Sequence, residues 1–280
     1  MGVAVVTGAN GGMGKEICKT LLEAGYRVVA VCRPGQRGRD FVQAMQGPIT
    51  LLEMDLAQPE SVREAAQRLL DQGEPIDILM NNAGMLGWKK QPVGTPQGVM
   101  EMHYLVNCLS PMLFTTLLKP LLHPGSRVVN TVSCTVWIGK IPRSFPLIPT
   151  HFNRFVLYSD SKYALLLLSL RLAREWASEG ITVNTADPGI VDTTIIRMHN
   201  WIDPLTDLFF RPLIRKPAQG AATALYLALD PAVAGCTGGF YAGKKRQNLA
   251  KRMKERDSET LLWKIYSKFV ALTSKTKDHV

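Results

Sequence analysis

The sequence predicts the α/β class, a single doubly wound parallel sheet in three layers, on three observations. Short β-branched runs alternate with longer segments of helical apolar spacing along most of the 280 residues. Those runs are apolar at consecutive positions, which marks strands buried on both faces. No repeat, low-complexity tract or linker divides the chain, and 46% apolar residues suffice for one large core.

The strand-like runs are VAVVT at 3–7, RVVAVC at 27–32, ITLLEM at 49–54, DILMN at 77–81, RVVNTV at 127–132 and ITVNTA at 181–186. Between them, PESVREAAQRLLD opens with Pro59 at a first helical position, and PAQGAATALYLAL from Pro217 does the same. Two stretches break the rhythm. Residues 135–156 hold three prolines and several aromatics, and residues 192–216 hold Pro204, Pro212 and a cluster of apolar side chains.

The net charge is +10, and residues 244–280 carry +7 of it, with eleven Lys/Arg against four Asp/Glu. This asymmetry predicts a nearly neutral body, 1–243, and a basic tail, 244–280. It argues against a nucleic-acid partner, since such a surface interleaves stacking aromatics with its charge. Cys18, Cys32, Cys108, Cys134 and Cys236 are scattered without a CxxC pair, as expected for reduced core thiols in a cytoplasmic protein. The histidines are equally dispersed, and no metal site is expected. The run at Val3 leaves no room for a signal peptide, and no apolar stretch reaches the length of a membrane span.

After the first strand, TGANGGMGKEI puts Gly8, Gly12 and Gly14 at the turn into a helix. Glycines there let the backbone approach a pyrophosphate, which the helix N-terminus attracts. Taken alone, the loop is equally readable as a tight βα turn. Further on, YSDSKYALLLLSL places Tyr158 and Lys162 four residues apart, a spacing that by itself says only that a helix begins.

The TGxxxGxG spacing differs from GxGxxG and resembles the short-chain dehydrogenase/reductase family. Further matches are Asp55-Leu56 after the third strand, Asn81-Asn82-Ala83-Gly84 after the fourth, YxxxK, and Pro188-Gly189-Ile190-Val191-Asp192-Thr193 after the sixth. They fall in family order from residue 7 to residue 193. The resemblance implies a Rossmann-type doubly wound parallel sheet and hydride transfer with NAD(P). The cofactor contacts it implies are Gly8, Asn10, Gly11, Gly12, Met13, Gly14, Asp55, Leu56, Asn82, Ala83, Gly84, Tyr158, Lys162, Pro188, Gly189, Val191 and Thr193. For Asn82, Ala83 and Gly84 a structural role in the turn is the alternative.

Dinucleotide choice is read at the end of the second strand, where an acid would bind the adenine ribose. Here VAVCRPGQRGRD offers Cys32 and Arg33 instead, so a 2′-phosphate is favoured and the expected cofactor is NADP(H) rather than NAD(H). Otherwise Arg33, Arg37 and Arg39 are a solvated loop, and Asp40 competes for the ribose.

A tyrosine with its pKa near ~10 exchanges protons poorly at neutral pH. Lys162 one turn on, together with an oxidised nicotinamide, is expected to lower it. The resemblance then implies that Tyr158 protonates a carbonyl oxygen, Lys162 holds the nicotinamide ribose, Ser133 fixes the substrate oxygen and Asn107 supports a proton relay. On the residues alone Ser133 reads as a cap or turn residue and Asn107 as a buried structural amide. Thr193 corresponds to the family position that meets the carboxamide, with Thr194 as a competitor.

The 25-residue interval from Ser133 to Tyr158 is long, and its Trp137, Ile138, Ile141, Phe145, Leu147, Ile148, Phe152 and Phe155 are apolar. With the Cys32-Arg33 pair and the LLWKIYSKF tail, this is similar to the retinol dehydrogenase-like branch. That branch implies a hydrophobic carbonyl or alcohol of retinoid, steroid or long-chain type. Segment 192–216 is expected to cover the substrate, its apolar stripe being readable as pocket lining or as core. The tail helix, with Leu261, Leu262, Ile265, Tyr266, Phe269 and Val270 on one face, has three readings: docking on its own domain, a partner subunit, or peripheral contact with an anionic membrane. Beyond Lys162 the YSDSKYALLLLSL helix is apolar nearly all round, which predicts a homodimer. The rival to an enzyme is an NADP(H)-sensing regulatory protein of the same fold.

Overall fold

The computed structural model describes residues 1–95, 98–142, 145–146, 152–191, 215–249 and 256–274. Strands β1 (Val3–Thr7), β2 (Arg27–Cys32), β3 (Ile49–Glu53) and β4 (Ile76–Asn81) come first, followed by a hairpin of β5 (Pro92–Thr95) and β6 (Gly98–Glu101). Then come β7 (Leu122–Thr131), β8 (Thr182–Asp187), β9 (Phe240–Ala242) and β10 (Lys245–Arg246). The main sheet has the order β10-β9-β8-β7-β4-β1-β2-β3, parallel except for β10. Strand order reverses between β1 and β4, and the loops at their carboxyl ends open a crevice there.

Helices α1 (Gly12–Glu23), α2 (Gln36–Ala44), α3 (Pro59–Gln72), α4 (Met102–Tyr104), α5 (Ser110–Leu117), α6 (Arg154–Trp176), α7 (Pro217–Leu229) and α8 (Arg256–Ser274) cover the sheet. A π-helical stretch, Leu105–Leu109, joins α4 to α5. Strand β1 shows why both faces need cover: Val3 and Val5 pack into one apolar cluster, Ala4 and Val6 into the other. The first cluster adds Val62 of α3, Leu113 of α5 and Leu165 of α6; the second adds Ile17 of α1 and Ala224 of α7. Each such Val, Leu or Ile contributes about 1.5–3 kcal/mol by leaving water.

A buried polar ladder crosses this apolar interior. Asn81 Nδ2 donates to Asn130 Oδ1 and Thr115 Oγ1, both at 2.7 Å, and Asn130 Nδ2 donates to Ser169 Oγ at 2.8 Å. It ties β4, β7, α5 and α6 together with hydrogen bonds that a buried amide requires.

Helix α8 docks on its own domain. Leu262, Tyr266 and Phe269 are buried, Tyr266 Oη donates to the Met112 carbonyl at 2.9 Å, and Arg63 Nη2 donates to the Val270 carbonyl at 2.9 Å. Arg174 pairs with Glu259, and the Arg171 guanidinium lies 5.1 Å from the Trp263 ring centre. The outer face of α6, which the sequence assigns to a second subunit, is therefore covered by the chain's own C-terminal helix. Leu261 of the face named from sequence stays exposed, and among the described residues no helix is long and apolar enough to cross a membrane. The thiol reading also needs amendment: Cys18, Cys32 and Cys108 are buried, but Cys134 is exposed because it opens the turn after β7.

Leu262→Ala should lower unfolding free energy by about 2–4 kcal/mol, the cost of a core cavity. Urea denaturation checks this, and a loss under about 0.5 kcal/mol would mean that α8 does not pack as described.

Candidate active site

The crevice at the strand-order reversal is a cleft of about 1020 Å³. Its lining includes Gly8, Asn10, Gly11, Gly12, Met13, Gly14, Arg33, Asp55, Leu56, Asn82, Ala83 and Gly84, so the structure brings these expected cofactor residues together. Thr7, Arg37 and Met85 line it too.

The glycine loop has a steric reason for its composition. Gly8 has φ +64°, and a Cβ there would lie 3.0 Å from Ala83 Cα; a Cβ on Gly14 would collide with the Gly8 carbonyl. Gly11 at the N-cap of α1 offers no side-chain cap, so the first N–H groups of the helix are left for a ligand. Those donors, the close backbone and the cleft volume fit a dinucleotide pyrophosphate.

The loop is clamped from the next strand. Thr7 Oγ1 accepts from the Asn82 and Ala83 N–H groups at 3.1 Å each, and Asn82 Nδ2 donates to the Thr7 carbonyl at 3.0 Å. Asn82 thus both supports the turn and lines the cleft. Asp55 Oδ1 accepts from the Ala57 N–H at 2.9 Å and shapes the turn after β3.

At the end of β2 the basic residues divide. Arg39 pairs with Glu53 at 2.9 Å, and Asp40 accepts from Gln36 at 2.7 Å. Arg33 and Arg37 line the cleft and have no ion-pair partner among the described residues. All three arginines are exposed on this loop, and Arg39 is the one held by an acid.

Behind Gly84 stand the polar residues of α6. A Cβ on Gly84 would lie 3.1 Å from Lys162 Nζ and 3.4 Å from Asn107 Oδ1. Lys162 is buried, donates to the Thr131 carbonyl at 2.8 Å, and holds its Nζ 5.9 Å from the Tyr158 ring centre. Tyr158, half-buried, shares a side-chain hydrogen bond with Ser133. Ser133 Oγ also accepts from the Thr135 N–H at 3.3 Å, so it is a cap and a partner of the phenol at once. Asn107 sits in the π-helical stretch, accepts from the Met85 N–H at 2.7 Å, and donates to the Met85 carbonyl at 2.9 Å and Ser161 Oγ at 3.0 Å. Ser161, inside YSDSK, carries no signal that sequence reasoning could have used.

One electrostatic expectation reverses. Burial pushes the Tyr158 phenol up to about 12, the Ser133 hydrogen bond acting against it and the Asp187 carboxylate adding to it. Burial also lowers Lys162 to about 8. The ammonium is turned to a backbone carbonyl behind Gly84, so the protein's own groups favour a neutral phenol.

Pro188, Gly189 and Val191 do not line the cleft but abut it. A Cβ on Gly220 would touch both Val191 Cγ2 at 2.5 Å and Met13 Sδ at 2.9 Å, which places Val191 beside the glycine loop. Thr193, Thr194 and the apolar stripe of 192–214 lie outside the described residues, as do Leu147 and Ile148. Of the long interval after Ser133, Phe145 is buried 4.5 Å from the Tyr104 ring centre, while Ile138 and Phe155 are exposed.

The short chain dehydrogenase family profile matches residues 2–201, most of the chain and all of the cleft. The chain belongs to this family. Retinol dehydrogenase 14 of Homo sapiens is 32% identical over 291 aligned residues, covering 96% of this chain and 86% of that protein. Polyprenol dehydrogenase of Mus musculus is 32% identical over 276, covering 93% and 81%. These relatives place it in the retinol dehydrogenase-like branch. Among solved short-chain dehydrogenase-like folds, an uncharacterised Mycobacterium paratuberculosis protein superposes with TM-score 0.76 at 25% identity, covering 97% of this chain and 94% of that one. The RhlG/NADP active-site complex of Pseudomonas aeruginosa gives 0.69 at 28%, covering 86% and 94%.

Lys162 provides a pH test. Because its folded pKa lies below the unfolded value, the folded state binds fewer protons between about pH 8 and 10.4, and the penalty for burying the ammonium is full below that window and relieved across it. Lys162→Met should unfold roughly 3 °C above the parent at pH 7, with the gap closing by pH 10.4. Scanning calorimetry across that range checks it, and a gap independent of pH would contradict a buried ammonium.

Proposed function

We propose that this protein is an NADP(H)-dependent oxidoreductase that interconverts a hydrophobic carbonyl compound and its alcohol, with Tyr158 as the acid/base. The observation that carries the reading is the meeting of the α6 side chains with the cofactor cleft: Lys162 Nζ stands against Gly84 of the cleft wall while Tyr158 is bonded to Ser133.

Tyr158 holds the proton that a reduced carbonyl oxygen needs, and its raised pKa keeps that proton in place at neutral pH. Ser133 fixes the substrate oxygen beside the phenol. Lys162 faces the nicotinamide ribose through Gly84, and Asn107, tied to Met85 and Ser161, keeps the wall and the lysine in register. A bound NADP(H) supplies the hydride, and its oxidised ring supplies the positive charge that lets Tyr158 act as a phenolate in the reverse direction. Gly8, Asn10, Gly11, Gly12, Met13 and Gly14 cradle the pyrophosphate, and Asp55, Leu56, Asn82 and Ala83 the rest of the adenosine side. Pro188, Gly189, Val191 and Thr193 serve the nicotinamide end.

Arg33 and Arg37, at the cleft edge without an ion-pair partner among the described residues, are the proposed 2′-phosphate contacts. The NADP of the RhlG complex supports that preference, and the polyprenol and retinol dehydrogenase relatives support an apolar substrate.

With a panel of apolar aldehydes, NADPH oxidation by Tyr158→Phe should fall by at least about 100-fold, the scale of general acid catalysis. Turnover surviving unchanged would reject the mechanism. Replacing both Arg33 and Arg37 with Ala should raise KM for NADPH by about tenfold or more, with KM for NADH changing far less. A parent enzyme that prefers NADH would overturn the assignment of the arginines.

A further inference from the structure

Helix α6 carries Lys162, Tyr158 and Arg154 at successive four-residue intervals, so the three share one face. Lys162 meets the cleft wall, Tyr158 comes next, and Arg154 stands one turn farther on, about 5.4 Å along the axis. It lies on the side of Tyr158 away from Lys162, where a substrate would extend from the reacting carbon. There the guanidinium lies 3.4 Å over the Trp88 ring and 4.5 Å over the Phe155 ring. Trp88 is four residues beyond Gly84, so this stack links the loop leaving the cleft wall to the helix that bears Tyr158.

A guanidinium laid on aromatic rings keeps its N–H donors in its own plane, directed past the rings. Arg154 Nη1 is buried and has no hydrogen-bond partner among the described residues, nor does the side chain have an ion-pair partner there. Burial lowers its pKa from the usual arginine value. The neighbouring acids are engaged elsewhere: Glu101 is buried on His103 Nδ1 at 3.0 Å, and Asp160 accepts from the Lys140 N–H at 2.7 Å. Lys89 and Lys90, exposed next to Trp88, and the positive end of α6 add to the same sign. A charged fork whose Nη1 is buried without a partner, beside exposed Trp88 and Phe155, is complementary to a compound that is apolar in its body and anionic at one end.

We propose that Arg154 is a specificity-determining residue that receives the anionic terminal group, carboxylate or phosphate, of a substrate whose carbonyl or alcohol carbon sits at Tyr158. The proposal rests on the reading of Tyr158 as the acid/base group. One helical turn separates the two positions along the axis, so the anion and the reacting carbon belong to the same compact molecule.

The test compares an ω-oxo octanoate, its methyl ester and the corresponding ω-oxo octyl phosphate in NADPH-linked reduction by the parent, Arg154→Met and Arg154→Lys. The parent should favour an anionic substrate over the ester by at least about tenfold in kcat/KM, Arg154→Met should abolish that ratio, and Arg154→Lys should restore part of it. The carboxylate and phosphate arms identify which anion the site takes. A parent that treats ester and anions alike, or a preference that survives Arg154→Met, overturns the proposal. Calorimetric binding of octanoate and octyl phosphate against 1-octanol gives a readout free of turnover. Arg154-dependent binding of either anion without reduction of any aldehyde would reject the oxidoreductase reading and uphold the anion site. Equal binding of the alcohol and both anions would reject the site.

Discussion

The buried ammonium of Lys162 is the constraint around which the site is built. Its one hydrogen bond among the described residues goes to the Thr131 carbonyl at the end of β7, and no carboxylate offsets its charge. A cation so placed is expensive, and the surrounding structure shows how the cost is contained. Gly84 stays free of a side chain because a Cβ would press on Nζ, Asn107 is held by three hydrogen bonds in a π-helical turn, and the Asn81–Asn130–Ser169 ladder fixes β7 against α6. If β7 slipped by one residue against α6, the lysine would lose its acceptor and the cleft its wall together.

Tyr158 and Lys162 are both driven toward their neutral forms by burial, the phenol to about 12 and the amine to about 8. Shifts in these directions leave the site holding a protonated phenol, the form that donates to a developing alkoxide. A tyrosine activated by its neighbours alone would instead have rested as phenolate, ready for alcohol oxidation. Only positive charge brought into the cleft would draw the phenol back toward its ionised form.

The body of the sheet was legible because a parallel strand covered on both faces must be apolar at consecutive positions, as in VAVVT and RVVAVC. The glycine loop was legible because the collision between a Gly14 Cβ and Gly8 leaves no other residue type. Less was visible where structure depends on distant partners. Strands β9 and β10 hold three and two residues, too few for a period, and the β5–β6 hairpin buries only Met100 and Glu101. Asn130 drew no notice in sequence, although its amide joins Asn81 of β4 to Ser169 of α6. Ser133 and Asn107 were named by family position alone, and the contacts they make here, capping a turn and bracing Met85, are ones that spacing does not encode.

The C-terminal helix shows the same limit from the other side. Its stripe of Leu262, Tyr266 and Phe269 announces that something must cover it, yet amphipathicity is indifferent to whether the cover is a lipid, a second subunit or the chain itself. Tyr266 decides by bonding to the Met112 carbonyl on α5, and Arg171 and Arg174 hold the same helix to α6. Docking therefore buttresses α6 from behind, on the helix whose other face carries Lys162, Tyr158 and Arg154. It also leaves Lys264 and Lys268 exposed, with Leu261 as the exposed large apolar side chain of the helix among the described residues. Attraction to those lysines is long-ranged and screened by salt, with a Debye length of about 8 Å at physiological ionic strength. An apolar insertion would not be screened in this way, and insertion of Leu262, Tyr266 or Phe269 would require undocking the helix that steadies the site.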